Sequence, residues 1–162
     1  PEEFINIEKF ANSLGDDWAV ILKMHPFVKK RLDIPQSVQN RVFDFSDERE
    51  INDILFITDV LVTDYSSVIF ENAIVGNAAV LYAPDLTDYD NGRGFYFDYE
   101  KTAPGPIVEN MKDLIDCIKN KQWDIAKVEK FAHLHNDYFD DKSAERVVDY
   151  YFGNGKKLPN SA

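Results

Sequence analysis

The chain has 162 residues, which is long enough for one well-buried domain and short for two. Hydrophobic residues make up 44% of it and aromatic residues 14%, which indicates a packed globular protein and excludes a disordered one. With 18 Lys plus Arg against 29 Asp plus Glu, the net charge is −11, which argues against broad nucleic-acid binding and against attachment to an anionic membrane surface.

Cysteine content and hydropathy exclude further classes of protein and of site. The single cysteine, Cys117, excludes an internal disulfide and a cysteine-rich metal site, and its apolar neighbours predict a core thiol. The sequence has no run of about 18 apolar residues and no signal peptide, so we expect a cytoplasmic protein. Because the chain starts at Pro1 without an initiator Met, we expect it to be a piece of a longer protein.

The first part of the chain alternates between helix and strand. Apolar residues on one face predict a helix over residues 4–14. A buried strand is predicted over residues 18–24, and it stops at Pro26 because proline cannot continue a central ladder. His25 therefore stands at the carboxyl end of a strand, near Lys23, where it either donates to a phosphate oxygen or simply begins a loop.

Three further features precede the central strand. Residues 29–31 form a run of three basic residues, for which we expect a solvated face, with an anion-attracting rim as the alternative. Alternating polarity predicts a short strand over residues 41–45. A helix over residues 48–56 is expected to turn Ile51, Ile54 and Leu55 inward.

The middle of the chain reads as a buried strand, a polar elbow and the first turn of a helix. The apolar run at residues 60–62 suits a parallel strand covered on both faces, and N-cap residue types then predict a helix over 66–75. Free N–H groups at such a helix start are where α/β sheets bind phosphates. Ser66 and Ser67 add hydroxyl donors there. The alternative is that Asp64 or Ser66 only caps the helix.

A long polar stretch follows the next strand. The strand is predicted over residues 78–83, and residues 85–99 are then polar and aromatic, with a glycine on each side of Arg93. A loop of this length at the carboxyl edge of a sheet is usually functional or mobile. Arg93 either brings its planar guanidinium close to a ligand or is a surface residue on a flexible turn.

The last part of the chain is predicted to be mostly helical. A short edge strand at residues 107–108 follows a stiff Pro-Gly-Pro turn. Apolar periodicity then predicts a helix starting at residue 109 or 110, a second over residues 124–135 and a third over 144–152. The apolar residues of the third helix are expected to point inward, namely Val147, Val148 and Tyr151.

Alternating strands and helices with short connections predict the fold class: α/β, a Rossmann-like parallel sheet with helices on both faces. We expect one domain over residues 1–152 and a flexible tail over 153–162. No glycine-rich phosphate loop occurs in the sequence. No metal site is predicted, because the carboxylates lack suitable spacing and His133 and His135 do not share a helical face.

Several motifs in a fixed order carry a family resemblance. They are Lys23-Met24-His25-Pro26, Thr63-Asp64-Tyr65-Ser66-Ser67, Leu81-Tyr82-Ala83-Pro84-Asp85, Arg93-Gly94-Phe95-Tyr96-Phe97-Asp98, Pro104-Gly105-Pro106-Ile107-Val108 and Ser143-Ala144-Glu145-Arg146-Val147-Val148. With these motifs the chain resembles, over nearly its whole length, the C-terminal half of the CDP-glycerol glycerophosphotransferase family, the TagF-like teichoic acid primases and polymerases.

The resemblance implies a GT-B architecture, in which two Rossmann-like domains face each other across a cleft. The C-terminal domain would hold a CDP-glycerol or CDP-ribitol donor, and the N-terminal domain would supply the acceptor side and a histidine base. Such enzymes transfer glycerol phosphate or ribitol phosphate to a growing polymer at the inner face of the cell membrane and release CMP. No cofactor is implied beyond the donor substrate, and membrane association is expected through the rest of the protein.

The resemblance also gives the motif residues expected roles. His25 would contact or polarise the donor diphosphate, while Ser66, Ser67 and their helix N-terminus would cradle it. Further donor-binding residues are expected at Lys23, Asp64, Glu71 and Arg93. Catalysis would then rest on positioning and on neutralising charge at phosphate oxygens, without a side-chain nucleophile.

The sequence departs from the family pattern in two ways. Asp140-Asp141-Lys142 lacks the glycine of the family's usual turn before the last helix, so no ligand contact is assigned to Lys142 or Ser143. The partner domain is absent from the sequence, so we expect the chain by itself to bind the donor weakly and not to turn it over.

Two other functions remain open from the sequence. A nucleotide-sugar-binding half of a GT-B glycosyltransferase or 2-epimerase would use the same elbow with a different nucleotide, such as a uridine diphosphate. A non-catalytic α/β module would bind a protein partner through its acidic surface and the aromatics around Tyr96, and it would not need the elbow serines. The choice between glycerol and ribitol, and the oligomeric state, also stay open.

Overall fold

The structure is a computed structural model that describes residues 5–25, 27–28, 31–96 and 98–153. Its strands are β1 (Val20–Leu22), β2 (Val42–Asp44), β3 (Val60–Thr63), β4 (Ala78–Tyr82) and β5 (Ile107–Val108). β1 pairs with β2, and β4 lies between β3 and β5. Every one of these pairings is parallel, as the alternation of strands and helices predicted.

The helices lie before, between and after the strands. They are α1 (Ile7–Leu14), α2 (Ile51–Leu55), α3 (Val68–Val75), α4 (Leu86–Gly92), α5 (Tyr99–Thr102), α6 (Met111–Lys119), α7 (Ile125–His135) and α8 (Ser143–Phe152). The predicted helices are present with ends moved by a few residues. The first begins later than predicted because the Asn6 side chain accepts from the Lys9 N–H at 2.9 Å and caps it at Ile7.

Strand β4 lies at the centre of the core and is buried along its whole length. Val80 and Tyr82 pack into one apolar cluster with residues of α1 and α6, whereas Leu81 packs into a second cluster with residues of α3 and α7. Because side chains alternate across a strand, helices cover both faces of β4. Cys117 is buried in the first cluster, where burial raises the pKa of its thiol, so the predicted core thiol is confirmed.

Helix α3 is fastened to the start of β4 by a buried amide. The Asn72 side chain is fully buried, and its Nδ2 donates to the carbonyl oxygens of Asn77 at 3.0 Å and Ala78 at 3.3 Å. Gly76 ends α3 in the left-handed region at φ 86°, which favours glycine. Since Thr63 lies opposite Leu81 in the parallel register, the segments that leave β3 and β4 emerge side by side.

Two predictions for the second half of the chain are wrong. Residues 85–99 contain α4 and the first residue of α5, where a loop was expected. The Tyr89 N–H donates to the Asp85 carbonyl at 2.9 Å and the Arg93 N–H to the Tyr89 carbonyl at 2.8 Å, so the segment satisfies its own backbone. Aromatic side chains of this segment also pack on one another, which gives it an apolar contact of its own.

The second wrong prediction concerns α8, whose apolar side chains were expected to point inward. Val147 and Val148 are each 55% exposed and Tyr151 is 71% exposed. None of the residues of α8 is buried by the described part of the chain. Apolar periodicity shows that a helix has an apolar face, but it does not show which segment covers that face.

Some sequence features fall outside the described residues. They are Phe4, Pro26, Lys29, Lys30, Phe97 and residues 154–162. Of the basic run, the described Arg31 is paired with acidic neighbours, donating to the Asp44 carboxylate at 3.2 Å and also to that of Asp47. Across the described ranges, no helix is both long and apolar enough to cross a membrane.

Candidate functional site

The polar elbow, residues 64–67, connects β3 to α3. Ser67 occupies the N-cap position without a side-chain cap bond, and the Ser66 hydroxyl accepts from the Val68 N–H at a long 3.4 Å. The N–H groups of Ile69 and Phe70 are already bonded to the elbow carbonyls at 3.3 and 3.0 Å. Donors for an anion are therefore the two serine hydroxyls and the N–H groups of Ser66 and Ser67, which donate to no other described residue.

Two tyrosine hydroxyls hold the elbow in place. Tyr99, at the start of α5, donates to the Asp64 carbonyl at 3.0 Å, and Tyr65 donates to the Asp85 carboxylate at 2.9 Å. Burial raises the pKa of the Tyr65 hydroxyl, and the Asp85 carboxylate raises it further. Burial likewise raises the pKa of Tyr99, with the Asp64 carboxylate as the second cause. Both hydroxyls therefore stay protonated, and both remain donors, at neutral pH.

The rings of these tyrosines belong to an aromatic cluster, which consists of Tyr65, Tyr89, Phe95 and Tyr99. Tyr65 stacks on Tyr89 with ring centroids 3.8 Å apart, and Phe95 stacks on Tyr99 at 4.6 Å. The two stacked pairs also touch, with 5.7 Å between the Tyr65 and Tyr99 centroids. Such contacts stabilise the packing beyond the apolar area that they bury, so the cluster joins the elbow to the segment after β4.

A cavity of about 240 Å³, called the elbow cavity below, lies between the elbow, the aromatic cluster and α7. Asp64 and Ser66 form one part of its wall, the aromatic cluster forms another, and Phe131 and His135 close it on the side of α7. A larger hollow of about 340 Å³ lies beside α8, but none of the predicted site residues lines it. The elbow cavity is therefore the one that the predicted site shares.

The structure brings only some of the predicted site residues to this cavity. Of the predicted set, Asp64 and Ser66 line it, whereas the described lining does not include Lys23, His25, Ser67, Glu71 or Arg93. Ser67 is the exposed residue next to Ser66 in the elbow. The prediction that these seven residues form one donor site stays a prediction.

Lys23 and His25 follow β1 and are held differently from each other. The Lys23 ammonium donates to the Ser46 carbonyl at 3.3 Å and also to the Glu48 carbonyl, which ties the end of β1 to the segment after β2. His25 is exposed, and its Nδ1 accepts from the Phe27 N–H at 3.2 Å. Lys23 is thus engaged with the backbone, while the His25 ring is accessible to a ligand.

Glu71 and Arg93 belong to α3 and to the end of α4. Glu71, in the first turn of α3, is half-buried, and its Oε2 is buried with no hydrogen-bond partner in the described part of the chain. Arg93 is exposed after α4, with its guanidinium 5.7 Å from the centroid of the Tyr89 ring. A buried carboxylate oxygen without a partner is costly, so a hydrogen bond to Glu71 would be favourable for a group that reached it.

The residues that hold the elbow were not predicted from the sequence. Tyr65 lies inside the T-D-Y-S-S motif but was not assigned a role, and Tyr99 and Asp85 were placed in a loop. The available signal was the density of aromatic residues between positions 89 and 99. In the described ranges, no cluster of His, Cys, Asp and Glu side chains is arranged to hold a metal ion.

Comparison with known proteins gives the family. The model for the CDP-Glycerol:Poly(glycerophosphate) glycerophosphotransferases matches residues 1–153. The chain belongs to this family. Teichoic acid ribitol-phosphate polymerase TarL of Staphylococcus aureus is 45% identical over 150 residues, covering 92% of this chain and 27% of the relative. Teichoic acid poly(ribitol-phosphate) polymerase of Bacillus spizizenii is 38% identical over 149 residues, covering 92% of this chain and 24% of the relative.

A solved structure shares the fold. The wall teichoic acid polymerase TagF, in a histidine-to-asparagine variant soaked with CDPG, superposes with a TM-score of 0.76 at 30% sequence identity. The match covers 92% of this chain and 38% of that one, and the chain spans about a quarter of the length of the first curated relatives it matches. The predicted family and the predicted GT-B type of α/β fold are both confirmed.

Proposed function

We propose that this chain is the donor-binding part of an enzyme that transfers glycerol phosphate or ribitol phosphate from a CDP-alditol to a teichoic acid or related polymer. One observation carries the proposal. The elbow after β3 presents two serine hydroxyls, and two N–H groups that no described residue engages, at the carboxyl end of a parallel strand in a chain of this family. Such donors suit a diphosphate, since each bond to a charged oxygen is strong.

In the proposed reaction, no residue of this chain forms a covalent bond to the substrate. A hydroxyl oxygen of the acceptor forms a bond to the phosphorus next to the alditol, and the bond from that phosphorus to the CMP oxygen breaks. The hydroxyl proton passes to a base, which we place in the rest of the protein, and CMP leaves with the bonding electron pair. Ser66 and Ser67 hold the phosphate oxygens throughout, so that the elbow positions the diphosphate and disperses its charge.

The other predicted site residues take supporting roles in this proposal. The exposed His25 ring contacts the diphosphate, and Lys23 positions the segment that carries it through its bonds to the carbonyls after β2. Glu71 accepts a hydrogen bond from the CDP-alditol through Oε2, which has no partner among the described residues. Arg93 adds a phosphate contact. The Asp64 carbonyl accepts from the Tyr99 hydroxyl, and Asp64 lines the elbow cavity.

The remaining parts of the proposal concern the whole protein. The acceptor polymer is bound by a further domain, and the enzyme works in the cytoplasm at the inner face of the cell membrane, attached peripherally through the rest of the chain. The relatives named above are teichoic acid polymerases several times longer than the matched segment, which supports this division of labour.

Calorimetric titration of the full-length protein with CDP-glycerol, CDP-ribitol, CMP and UDP-N-acetylglucosamine tests the proposal, together with an assay of CMP release. We expect cytidine-selective binding and release of CMP in the presence of an acceptor. His25→Ala should weaken donor binding about tenfold, whereas His133→Ala, at an exposed position on α7, should not change it. Uridine-selective binding would instead support a nucleotide-sugar enzyme and overturn the proposal.

A further inference from the structure

The backbone ladder between β1 and β2 ends just before the segment that carries His25. The Phe45 N–H donates to the Leu22 carbonyl at 2.9 Å. In a parallel ladder the next bond would run from the Met24 N–H to the Phe45 carbonyl, but that carbonyl accepts from the Glu48 N–H at 3.0 Å instead. The Met24 N–H, one residue before His25, therefore needs another acceptor.

Ser46 supplies this acceptor with its side chain. The Ser46 hydroxyl oxygen accepts from the Met24 N–H at 3.0 Å, and the Ser46 carbonyl accepts from the Lys23 ammonium at 3.3 Å. One residue after β2 thus holds both residues that precede His25. Because a rotation of the backbone at Met24 would swing the His25 ring, these two bonds limit where the ring can lie.

Ser46 is itself held by a charged pair. Its N–H donates to the Asp44 carboxylate at 2.8 Å, and the Arg31 guanidinium donates to the same carboxylate at 3.2 Å. The Ser46 hydroxyl donates to this carboxylate as well and is the largest cause that holds the pKa of Asp44 below its ordinary value. A hydroxyl that donates to a carboxylate has its lone pairs free to accept, so the oxygen is oriented for the Met24 N–H.

The His25 ring is oriented by a hydrogen bond of its own. Its Nδ1 accepts from the Phe27 N–H at 3.2 Å, and the His25 carbonyl accepts from the Val28 N–H at 2.8 Å. Because Nδ1 is the acceptor, the neutral ring carries its proton on Nε2, and Nε2–H is then the donor toward a ligand. The ring is exposed, so the position of this N–H depends on the backbone on either side of it.

We infer that Ser46 is a positioning residue for His25, whose Nε2–H meets a phosphate oxygen of the donor only while the Ser46 hydroxyl holds the Met24 N–H. The inference deepens the proposed function and rests on it. Ser46 acts through His25 and not on the CDP-alditol. A donor group whose surroundings are already fixed loses less freedom when it binds, which is the advantage that Ser46 gives to His25.

A double-mutant cycle in the full-length protein tests this inference, with calorimetric titration of CDP-glycerol and CDP-ribitol as the measurement. Ser46→Ala removes the hydroxyl and should weaken both ligands about fivefold. In a His25→Ala background the same substitution should change both affinities by less than about twofold, because no ring is left to position. Thr58→Val removes a hydroxyl that donates to the Ile54 carbonyl at 2.7 Å, before β3, and should change neither affinity.

A spectroscopic measurement separates positioning from a loss of stability. Ser46→Ala and Thr58→Val each remove one hydrogen bond and should lower the melting temperature by similar amounts. With isotope-labelled histidine, however, the ring nitrogen resonances of His25 should shift in Ser46→Ala and stay unchanged in Thr58→Val. Asp44→Asn gives a second test without altering Ser46, since it removes the charged partner of the hydroxyl, and it should weaken both ligands about threefold.

Three outcomes would contradict the inference. Equal losses from Ser46→Ala with and without the His25 ring would show that Ser46 does not act through His25. Unchanged affinity in both Ser46→Ala and Asp44→Asn, or in His25→Ala itself, would show that no positioning takes place. In each case a wild-type protein that binds CDP-alditols and releases CMP still supports the proposed function. If the wild type binds no cytidine ligand, the proposed function fails and this inference fails with it.

Discussion

The segments that leave β1 and β3 both carry polar motif residues at the carboxyl end of a parallel strand, but they are held in opposite ways. After β1, the Lys23 side chain reaches out and holds the carbonyls of Ser46 and Glu48. After β3, the Tyr99 side chain from a distant segment donates to the Asp64 carbonyl. The O–H groups of Ser66 and Ser67 donate to no described residue.

This difference shows that the charge of a motif residue does not by itself tell whether its side chain is left available to a ligand. The charged Lys23 donates to backbone carbonyls of another segment. The uncharged serines remain available in an elbow that the hydrogen bond from Tyr99 holds in place. A site gains most from donors whose surroundings are already fixed, because binding then orders little else. The following predictions test this contrast between the two segments.

Removal of the two elbow hydroxyls should have the largest effect. Ser66→Ala combined with Ser67→Ala should lower the affinity of the full-length protein for CDP-alditols by about a hundredfold, since hydrogen bonds to charged groups are worth about 1.5–3 kcal/mol each. The melting temperature should hardly change, because both side chains are exposed. Ser37→Ala, at an exposed position in the short 3-10 helix Gln36–Val38, is the control for the change in affinity. Retained affinity in the double variant would remove the elbow from the donor site.

Lys23→Met should act on stability more than on binding. Loss of the ammonium leaves the Ser46 and Glu48 carbonyls without their donor, and we expect the free energy of unfolding to fall by about 1–2 kcal/mol in urea denaturation. Donor affinity should fall less than in the serine variant. Lys127→Met at an exposed site on α7 is the control. Unchanged stability with a hundredfold loss of affinity would make Lys23 a direct phosphate ligand.

Tyr99→Phe should loosen the elbow without removing a ring from the aromatic cluster. The lost bond to the Asp64 carbonyl should cost about 1 kcal/mol of unfolding free energy. Faster amide hydrogen exchange at residues 64–67 should accompany it, and this local change separates bracing of the elbow from general destabilisation. Tyr150→Phe, on the exposed α8, should change neither quantity. Equal exchange rates in Tyr99→Phe and wild type would contradict the bracing role.

The smallest predicted effect is a pH dependence near β2. Hydrogen bonds from Ser46, together with the nearby Arg31, hold the pKa of the Asp44 carboxyl below its ordinary value of 3.8. A lowered folded-state pKa stabilises the protein above the ordinary pKa, and this stabilisation is lost as the pH falls through the folded-state value. The melting temperature of the wild type should therefore fall more between about pH 5 and pH 3 than that of Asp44→Asn, because the Asn amide does not titrate. Parallel curves for wild type and Asp44→Asn would refute this linkage.

The sequence predicted most of the fold because the fold depends mainly on local patterns. Apolar runs and periodicity located β1 to β5 and most helices, and the alternation of elements predicted parallel pairing. Helix α4 was not predicted because its Asp, Asn and Gly residues indicate turns. The stacking of Tyr65 on Tyr89 that supports it joins separate parts of the chain, so no local pattern reveals it. The exposure of the apolar face of α8 was not predicted, because periodicity does not identify which segment covers a helix.

The candidate site was less accessible to the same reasoning. Strand ends and N-cap residue types located Ser66 and Ser67, since both signals are local. The brace from Tyr99 to Asp64 spans 35 positions, and no local pattern predicts a contact at that separation. The hydrogen bonds from Lys23 to backbone carbonyls were likewise not predictable, because every residue type has a backbone carbonyl.

The elbow cavity has one further property, which concerns how such proteins diverge. Apart from Phe131 and His135, its described lining comes from residues 64–104, a single uninterrupted stretch of the chain. One recombination event between related genes therefore exchanges nearly the whole wall at once, while β1 and β2 keep their sequence. If that wall contacts a ligand, related chains can change this part of the site by exchanging one contiguous segment, with no coordinated change elsewhere in the domain.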